Sequence, residues 1–437
     1  MPRTVSAQED FPLGADTLPG AMSIVLLAVL AQASRVTLVF GGDVIPHEPV
    51  KLAARVNERV AQVDGARVGV SHGGWDHVLG PLTSVLQSGD VAVINLETPI
   101  TTLAAPERGE LTFSAGPELL ASLKHAGVGV VSFANNHCLD QHREGIVSTR
   151  TLAAQAQLLS VGAAATEAEA WEPLIIERQG FRIGLLSFTR WLNGYSNVKD
   201  PAQPHVPVVA YPDDQIIGSH SVDQLLSVVS SAAKRVDVLV VSVHWGDEYE
   251  AQPKVSDRLL AKALIKAGAT LIIGHHPHVL QPVELISRDD GSRGLVAFSL
   301  GNLVSNQDAT DPEGAKRDGL LLAVTLERLA KGSPVIIARL TPSAVFTENR
   351  QAVGSQRRSV QAVLLDDELA AMETRVVELN ARRDAESRAE KRVLLERRAL
   401  AVQRRARIVG LMPLLAPNPV QPERLEGPEG RRSTGTE

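Results

Sequence analysis

Short apolar segments alternate with amphipathic segments from about residue 36 onwards. Helical patterns lie between several of the apolar segments, as in residues 116–127 and 256–268, and the second has Ser256 as its expected N-cap and Gly268 at its end. The apolar segments have the length and composition of buried β-strands; they are residues 36–42, 91–97, 128–135, 181–188, 236–244, 269–274, 294–300 and 319–327. This alternation of strands and helices predicts an α/β fold.

The character of the chain changes at both ends. Residues 22–35 are apolar and end in small residues, which is typical of a secretory signal, although no Lys or Arg lies directly before them; a buried first helix is the alternative. After about residue 360, a stripe of apolar residues at helical spacing predicts a helix; it comprises Leu365, Leu369, Met372, Val376 and Leu379. We expect four regions: a leader over 1–34, a main domain over 35–345, a helical, basic extension over 346–412 and a disordered tail over 413–437. The extension either packs on the domain or pairs with a partner helix or an anionic surface.

The composition indicates a globular protein. Hydrophobic residues make up 44% of the chain and charged residues 22%. The net charge is −6, although residues 381–410 carry ten Lys and Arg against four Asp and Glu. A globally basic nucleic-acid binder is therefore excluded, and the basic stretch has no aromatic residue to stack on bases. The single cysteine, Cys138, excludes an internal disulfide.

Carboxylates follow the first two predicted strands. Asp43 comes directly after the first, and Glu97 follows the second, where Asn95 is placed to orient it. A buried, unpaired carboxylate is costly unless it meets a cation or leaves the core. Both residues are therefore candidate metal ligands, and a loop cap is the alternative for Asp43.

Amide and imidazole groups follow the third predicted strand, in the segment FANNHCLDQH at residues 133–142. Asn136 offers a carbonyl oxygen, and the imidazole of His137 is able to accept and donate a proton. Asp140, three residues on, is placed to hold that imidazole. We expect His137 to be a general acid with Asp140 as its partner. An Asx-turn with an incidental histidine is the alternative.

Histidines follow two later strands. His244 ends the strand at residues 236–244, where a satisfied core histidine is the usual explanation, and His275, His276 and His278 follow the next strand. In an extended backbone, His276 and His278 project to the same side. Paired neutral imidazoles suit Zn, Mn or Fe.

Carboxylates, an amide and imidazoles thus all lie at strand ends within one chain. Two neighbouring divalent metals that share a bridging carboxylate need such a mixed donor set. A pair of ions about 3.5–4 Å apart clamps a phosphoryl group and activates a water. The sequence therefore favours a binuclear metal site.

Six motifs resemble those of the CapA family, whose members take part in capsule and poly-γ-glutamate synthesis. The resemblance covers about residues 36–340, and its motifs are GGDV, INLETPIT, FANNH, VHWGDEY, GHHPHVLQ and FSLGN. It implies the fold of calcineurin-like metallophosphoesterases, a four-layer αββα sandwich, here with an added C-terminal helix.

The resemblance also implies a role for individual residues. Glu97 corresponds to the bridging carboxylate and His137 to the acid, while His275 is able to replace one member of the last histidine pair. Gly301 and Asn302 resemble a loop beside the site. One or two ions of Mn, Fe or Zn are expected on the following ligands: Asp43, Glu97, Asn136, His244, His276 and His278.

Two departures from the phosphoesterase pattern weaken the case for a second ion. Ile45 stands two residues after Asp43, where many phosphoesterases have histidine, and His47 comes four residues after it. The second motif reads NLE rather than Gly-Asp-x-x-Asp. One metal position therefore has one ligand fewer.

Two functions are consistent with these observations. The first is a metal-dependent hydrolase acting on a phosphoester or a γ-glutamyl link. The second is a non-catalytic, metal-binding component of a polymer synthesis or export assembly. The expected partners are an anionic, poly-γ-glutamate-like polymer or a phosphoester substrate. An envelope synthesis complex is a further expected partner, and no nucleic acid is expected. The expected location is extracytoplasmic, and cytoplasmic if residues 22–35 form a buried helix.

Overall fold

The computed structural model describes most of the chain between residues 33 and 413. The expected leader and the expected disordered tail lie almost entirely outside the described residues. In the part of the chain that the structure describes, no helix combines the length and the apolar character needed to cross a membrane. The described ranges are 33–63, 72–102, 112–307, 314–351 and 358–413.

The described residues form fourteen strands, ten α-helices and three short 3₁₀ helices. The strands are β1 (Ser34–Val44), β2 (Val91–Leu96), β3 (Val128–Phe133), β4 (Leu159–Gly162), β5 (Leu174–Arg178), β6 (Phe181–Thr189), β7 (Val238–His244), β8 (Leu271–His275), β9 (Val283–Ser287), β10 (Arg293–Ala297), β11 (Asn302–Val304), β12 (Asp318–Arg328), β13 (Ile336–Gln351) and β14 (Arg358–Leu364). The helices are α1 (Glu48–Val63), α2 (Trp75–Leu79), α3 (Thr83–Leu86), α4 (Pro117–Ala126), α5 (His142–Gln155), α6 (Glu167–Trp171), α7 (Val222–Ala233), α8 (Val255–Ala267), α9 (Leu365–Asn380) and α10 (Ala385–Val409). The 3₁₀ helices are His72–Gly74, Gly80–Leu82 and Ala315–Arg317.

The strands are arranged in two mixed sheets. The first has the order β14-β13-β12-β1-β2-β3-β4, and β11 also pairs with β1. Strands β1 to β4 are parallel, whereas β12, β13 and β14 are each antiparallel to their neighbours. The second has the order β5-β6-β7-β8-β10-β9, with β6, β7, β8 and β10 parallel. Because parallel strands end at the same edge of a sheet, the polar residues after them are brought together.

Alternation of side chains along the strands separates three apolar layers. In β1, Leu38 and Phe40 belong to the layer between the sheets, whereas Val39 packs with α1, α2 and α4. In β7, Val240 joins the layer between the sheets and Val241 packs with α7 and α8. The order of layers is therefore helices, sheet, sheet and helices, and the predicted αββα sandwich is confirmed.

The two helices expected from the sequence are α4 and α8. Both end at a glycine with left-handed backbone, Gly127 (φ 110°) and Gly268 (φ 118°), a conformation that a β-carbon would strain. The prediction that Ser256 is the N-cap of this second helix is wrong. Helix α8 begins at Val255, and the residue before it, Lys254, makes no side-chain cap. Ser256 therefore lies inside the first turn rather than before it.

Residues 346–412 divide between a sheet and two helices. The expected boundary at residue 345 falls inside β13, whose second half pairs with β14 from Val345 and Leu364 onwards. The helical extension therefore begins at Leu365, and it contains α9 and α10 rather than one helix. Within α9, the expected stripe places Met372 and Leu379 in buried positions.

Helix α10 packs on the sandwich. Ala401 and Ile408 are buried with the apolar layer between the sheets. Arg404 Nε lies 2.8 Å from Asp318 Oδ1, and Arg407 binds the other oxygen of the same buried carboxylate. Burial of this carboxylate raises the pKa of Asp318 to about 6 even though both arginines act to lower it. The extension is thus an integral part of the folded domain.

Candidate metal centre

Asp43 is the penultimate residue of β1 and is completely buried, and both of its carboxylate oxygens have contacts. Asn95 Nδ2 donates to Oδ1 (2.8 Å), and His275 Nδ1 lies 3.0 Å from the same oxygen. Oδ2 accepts from the backbone N–H of His276 (3.2 Å) and lies 3.4 Å from His278 Nδ1. Asp43 therefore joins the first sheet to the loop that follows β8 in the second.

Glu97, directly after β2, lies between the imidazoles of the second sheet. Its side chain is 0% exposed. Oε2 accepts a long hydrogen bond from Asn95 (3.4 Å), whereas Oε1 has no hydrogen-bond partner among the described residues. Oε1 lies 3.4 Å from His244 Nε2 and 3.7 Å from His278 Nε2. A buried carboxylate oxygen in this position requires a proton or a cation beside it.

The loop after β3 brings an amide and an imidazole to the same place. Asn136 Oδ1 lies 2.8 Å from His244 Nε2. His137 Nδ1 lies 2.7 Å from Asp140 Oδ2, and this oxygen also accepts from the backbone N–H of Phe113 (2.7 Å). The His137 ring packs on Phe113, with 4.3 Å between the ring centroids. Asp140 therefore orients His137 through Nδ1.

The histidine-rich loop has a different backbone from the one expected. His276 (φ 96°) and His278 (φ 56°) have left-handed rather than extended conformations, so the prediction of an extended His-x-His pair is wrong. Such strain costs of order 1–3 kcal/mol per residue and is concentrated at functional sites. The two ring centroids are nevertheless 5.8 Å apart. His278 Nδ1 lies 3.2 Å from Asn302 Oδ1, so this nitrogen carries a proton, and Nε2 faces Glu97.

Two groups of donor atoms share Glu97. The first consists of Glu97, His244 and His276, and the second of Asp43, Glu97 and His278, with the donor atoms of each group within 4.8 Å of one another. A carboxylate common to two groups is what a bridging ligand between two divalent ions requires. Together with the unpartnered Glu97 oxygen, this donor set fits one or two ions such as Mn, Fe or Zn.

Burial sets the protonation states of the cluster. Burial and then His276 hold the pKa of His244 well below its usual value, and burial and then His278 lower the pKa of His276 to about 3. Burial and then Asp43 raise the pKa of Glu97 well above its usual value. Burial opposes ionisation of Asp43 too, but the adjacent His275 and His278 hold its pKa well below the usual range. The neutral imidazole is the form that binds metals.

The departures noted in the sequence are visible in the structure. Ile45 is buried and offers no donor atom. His47 Nδ1 accepts from the backbone N–H of Asn306 (3.3 Å), and its ring packs edge-on against Phe113. Burial and then His278 lower the pKa of His47 to about 4. Within the described residues, His47 does not belong to either donor group that contains Glu97.

Two residues contribute more to the site than the sequence indicated. Asn302 contacts His278 through its oxygen and donates to the His278 carbonyl (3.2 Å), so it orients this imidazole. The exposed Glu248 forms a third donor group with His276 and His278. The proximity of Glu248 to His244 in the sequence was a signal for this group. His275, the alternative member of the histidine pair, contacts Asp43 and belongs to none of the three groups.

The candidate metal centre lies within the segment that matches a known protein family. The family model of the bacterial capsule synthesis protein PGA_cap matches residues 37–307, which is more than half of the chain. The chain belongs to this family. The PGA_cap match confirms the resemblance seen in the motifs, and the family is that of CapA-like capsule and poly-glutamate synthesis accessory proteins.

Several curated relatives of this PGA_cap protein carry related names. The PGA biosynthesis protein CapA of Bacillus subtilis is 29% identical over 279 residues, which cover 62% of this chain and 68% of that protein. The capsule biosynthesis protein CapA of Bacillus anthracis is 32% identical over 254 residues (55% and 56%). A probable polyglutamine synthesis accessory protein of Mycobacterium tuberculosis is 27% identical over 312 residues (67% and 74%). The match thus spans little more than half of the B. anthracis protein.

The solved structures that match are less similar to this chain than these relatives are. A crystal structure described as a novel phosphatase from Mycoplasma pneumoniae has a TM-score of 0.38 and 16% identity, with coverage of 71% of this chain and 94% of that one. A likeness at this level carries no argument about activity.

Proposed function

We propose that this PGA_cap protein is a metal-dependent hydrolase that cleaves a phosphoester or a γ-glutamyl link, with an anionic, poly-γ-glutamate-like polymer or a phosphoester as its substrate. The observation that supports this most directly is the Glu97 carboxylate. It is completely buried, it belongs to two donor groups, and one of its oxygens lacks a hydrogen bond among the described residues. A purely structural carboxylate in such a place would have its hydrogen bonds satisfied.

The donor groups assign the ligands. Glu97, His244 and His276, with the Asn136 oxygen beside them, would hold one divalent ion, and Asp43 and His278 would complete a second position with Glu97. A divalent ion held by these residues would supply polarisation of the scissile bond and a more acidic water. Asn95 keeps both carboxylates in place because it donates to Asp43 and Glu97 from one amide nitrogen.

Proton transfer to the leaving group is the proposed role of His137. Asp140 accepts from Nδ1, so the proton to be transferred would be carried on Nε2, where solvent supplies it. After transfer to the leaving atom, the neutral imidazole would keep its Nδ1 proton on Asp140. Packing on Phe113 and the backbone hydrogen bond to Asp140 hold both side chains in this arrangement. The leaving atom would be an ester oxygen or an amide nitrogen, which both need a proton to leave.

A second function has support from the contacts of Asp43. Its oxygens already receive Asn95, the His276 backbone and the nearby His275, and Ile45 offers no further donor. A site with one ion that binds an anionic polymer within a synthesis or export complex is therefore the alternative. In either case we propose an exported protein at the cell envelope, because residues 22–35 resemble a secretory signal. Amino-terminal sequencing of protein secreted by its host tests the export.

Metal stoichiometry and hydrolysis separate the two functions. Purified wild type, His276→Ala and, as a control, the exposed His125→Ala are compared by elemental analysis after purification with Mn or Zn. We expect two equivalents in wild type and control and fewer in His276→Ala. A chromogenic phosphoester and a γ-linked oligoglutamate then test cleavage, with His137→Ala as the inactive variant. One equivalent without cleavage favours the binding role, and absence of metal from every preparation refutes both.

A further inference from the structure

A chain of hydrogen bonds connects the protein surface to the candidate metal centre. Trp191 Nε1 donates to Asn193 Oδ1 (3.1 Å), and Asn136 Nδ2 donates to the same oxygen (3.0 Å). Asn136 Oδ1 in turn lies 2.8 Å from His244 Nε2. Trp191 is 38% exposed, whereas Asn136 and His244 are buried. The chain therefore starts at a solvent-accessible indole and ends on a donor atom of the cluster.

The chemistry of the indole fixes the direction of this chain. The two ends of an asparagine amide are similar in shape, so hydrogen-bond partners decide which end faces which way. An indole N–H donates and cannot accept, so the Asn193 atom that it contacts has to be the oxygen. The Asn136 atom that contacts this oxygen has to be the NH₂ group. The Asn136 oxygen is thereby left facing His244 and Glu97, where a cation needs an oxygen rather than an NH₂ group.

The loop that carries the indole is held in place by hydrogen bonds that involve no side chain of the cluster. The Trp191 N–H donates to Thr189 Oγ1 (3.3 Å), and this hydroxyl donates back to the Trp191 carbonyl (2.9 Å). The Arg190 N–H donates to the carbonyl of His244 at the end of β7 (2.9 Å). Asn193 has a left-handed backbone (φ 49°), which asparagine tolerates better than most residues. These contacts therefore fix the loop that carries the Trp191 indole, whose N–H sets the direction of the hydrogen-bond chain.

We propose that Trp191 is a positioning residue that, through Asn193, makes Asn136 present its oxygen to the metal centre. This inference deepens the proposed function and rests on it for the role of Asn136 as a metal ligand. In this proposal Trp191 acts on the ion only through Asn193 and Asn136. Its N–H acts only through the orientation of two amides, so its effect depends on an asparagine at position 136.

The tautomer of His244 reports the orientation of Asn136 without any metal. With the Asn136 oxygen facing it, His244 Nε2 carries the proton and Nδ1 is bare, and Nδ1 has no partner among the described residues. If the amide turned over, its NH₂ group would donate to Nε2 and the proton would move to Nδ1. The ¹⁵N chemical shifts of the imidazole distinguish these two tautomers in the chelated protein.

The decisive comparison is between Trp191→Phe and Trp171→Phe. The first removes the N–H but keeps an aromatic ring, and the second removes an indole N–H that has no hydrogen-bond partner among the described residues. We expect Trp191→Phe to shift His244 towards the Nδ1–H tautomer and to weaken Mn²⁺ binding by about 10-fold or more, as outer-sphere changes do. Trp171→Phe should have the wild-type His244 tautomer and the wild-type Mn²⁺ affinity. A wild-type tautomer in Trp191→Phe overturns the inference.

Aspartate at position 136 provides an internal control, because both ends of a carboxylate are oxygens. In an Asn136→Asp background, Trp191→Phe should change the Mn²⁺ affinity by less than about 2-fold, since no amide remains to be oriented. An equal loss in both backgrounds overturns the inference. Asn193→Asp keeps the acceptor and should retain the wild-type tautomer. If no variant, wild type included, binds metal, the proposed function fails, and the tautomer alone decides the role of Trp191.

Discussion

Replacement of Glu97 by glutamine should stabilise the protein without metal and remove its stabilisation by metal. Glutamine has the same shape but no charge, so the substitution removes an ionisable group from a position where burial opposes its charge. Its side-chain oxygen would take the Oε1 position, 3.4 Å from His244 Nε2, which carries a proton in the chelated protein. Glu97→Gln therefore replaces a buried carboxylate by a neutral group of the same shape.

The size of the effect follows from the burial of Glu97. An unsatisfied buried polar group costs about 1–3 kcal/mol and a charged one more, so the chelated variant should gain at least about 1 kcal/mol in free energy of unfolding. Metal at 100 times its Kd should add about 2.7 kcal/mol to wild type alone. Because burial raises the pKa of Glu97, the native state binds more protons than the unfolded state above pH 4.5, and wild type loses stability as the pH rises. The advantage of the variant should thus be largest at neutral pH and vanish near pH 4.

Urea unfolding monitored by tryptophan fluorescence, in EDTA and in excess Mn²⁺, measures these changes. Glu248→Gln is the matched control, since this carboxylate belongs to the third donor group but is exposed. Its effect in EDTA should stay within about 0.5 kcal/mol. A loss of more than about 1 kcal/mol for chelated Glu97→Gln would refute the reasoning, because it would mean that the protein already satisfies this charge.

Three further changes test the surroundings of the site. Asp140→Asn should lower kcat for cleavage by about 10²-fold or more with little change in KM, because the His137 imidazole loses the carboxylate that orients it. An unchanged kcat in steady-state kinetics would contradict the role of His137 as the acid. Asp318→Ala should lower the free energy of unfolding by about 3–5 kcal/mol because it removes one partner of a buried ion pair with Arg404. Glu373→Ala, which breaks an exposed ion pair, should cost less than about 1 kcal/mol; equal losses in urea would be inconsistent with this view. Gly42→Ala would place Cβ 2.0 Å from a backbone oxygen, so it should lower the free energy of unfolding by about 1–3 kcal/mol and weaken Mn²⁺ binding in calorimetry. In Gly80→Ala the new Cβ meets no atom within 4 Å, so stability and Mn²⁺ binding should both stay unchanged.

The strands of the sandwich were largely predictable because buried parallel strands are continuous apolar runs. Each of the eight predicted segments overlaps a strand of the structure. The strands that the sequence did not reveal include β13 and β14, which lie at one end of the first sheet. Polar residues are frequent in β13, and Pro342 lies within it, so its sequence does not have the pattern of a buried strand.

The candidate site was predictable to the extent that it follows strand ends. Asp43, Glu97 and His244 directly follow or end apolar segments, and the structure brings them together. The backbone of His276 and His278 was not predictable, because positive φ in these residues depends on the surrounding structure. Nor was the contribution of Trp191, whose loop meets the cluster only after the two sheets pack.

The pairing of β1 with β12 places Ser34 opposite Arg328. The central strand of the first sheet therefore pairs with a strand that comes much later in the sequence. Helix α10, which is later still, adds Ala401 and Ile408 to the layer between the sheets. Contacts between such distant segments slow folding, because a large loop must close before they form. During synthesis, β1 emerges long before its partner, and its apolar face remains exposed until then. We therefore expect a slow-folding protein that depends on chaperones to avoid aggregation while its chain is completed.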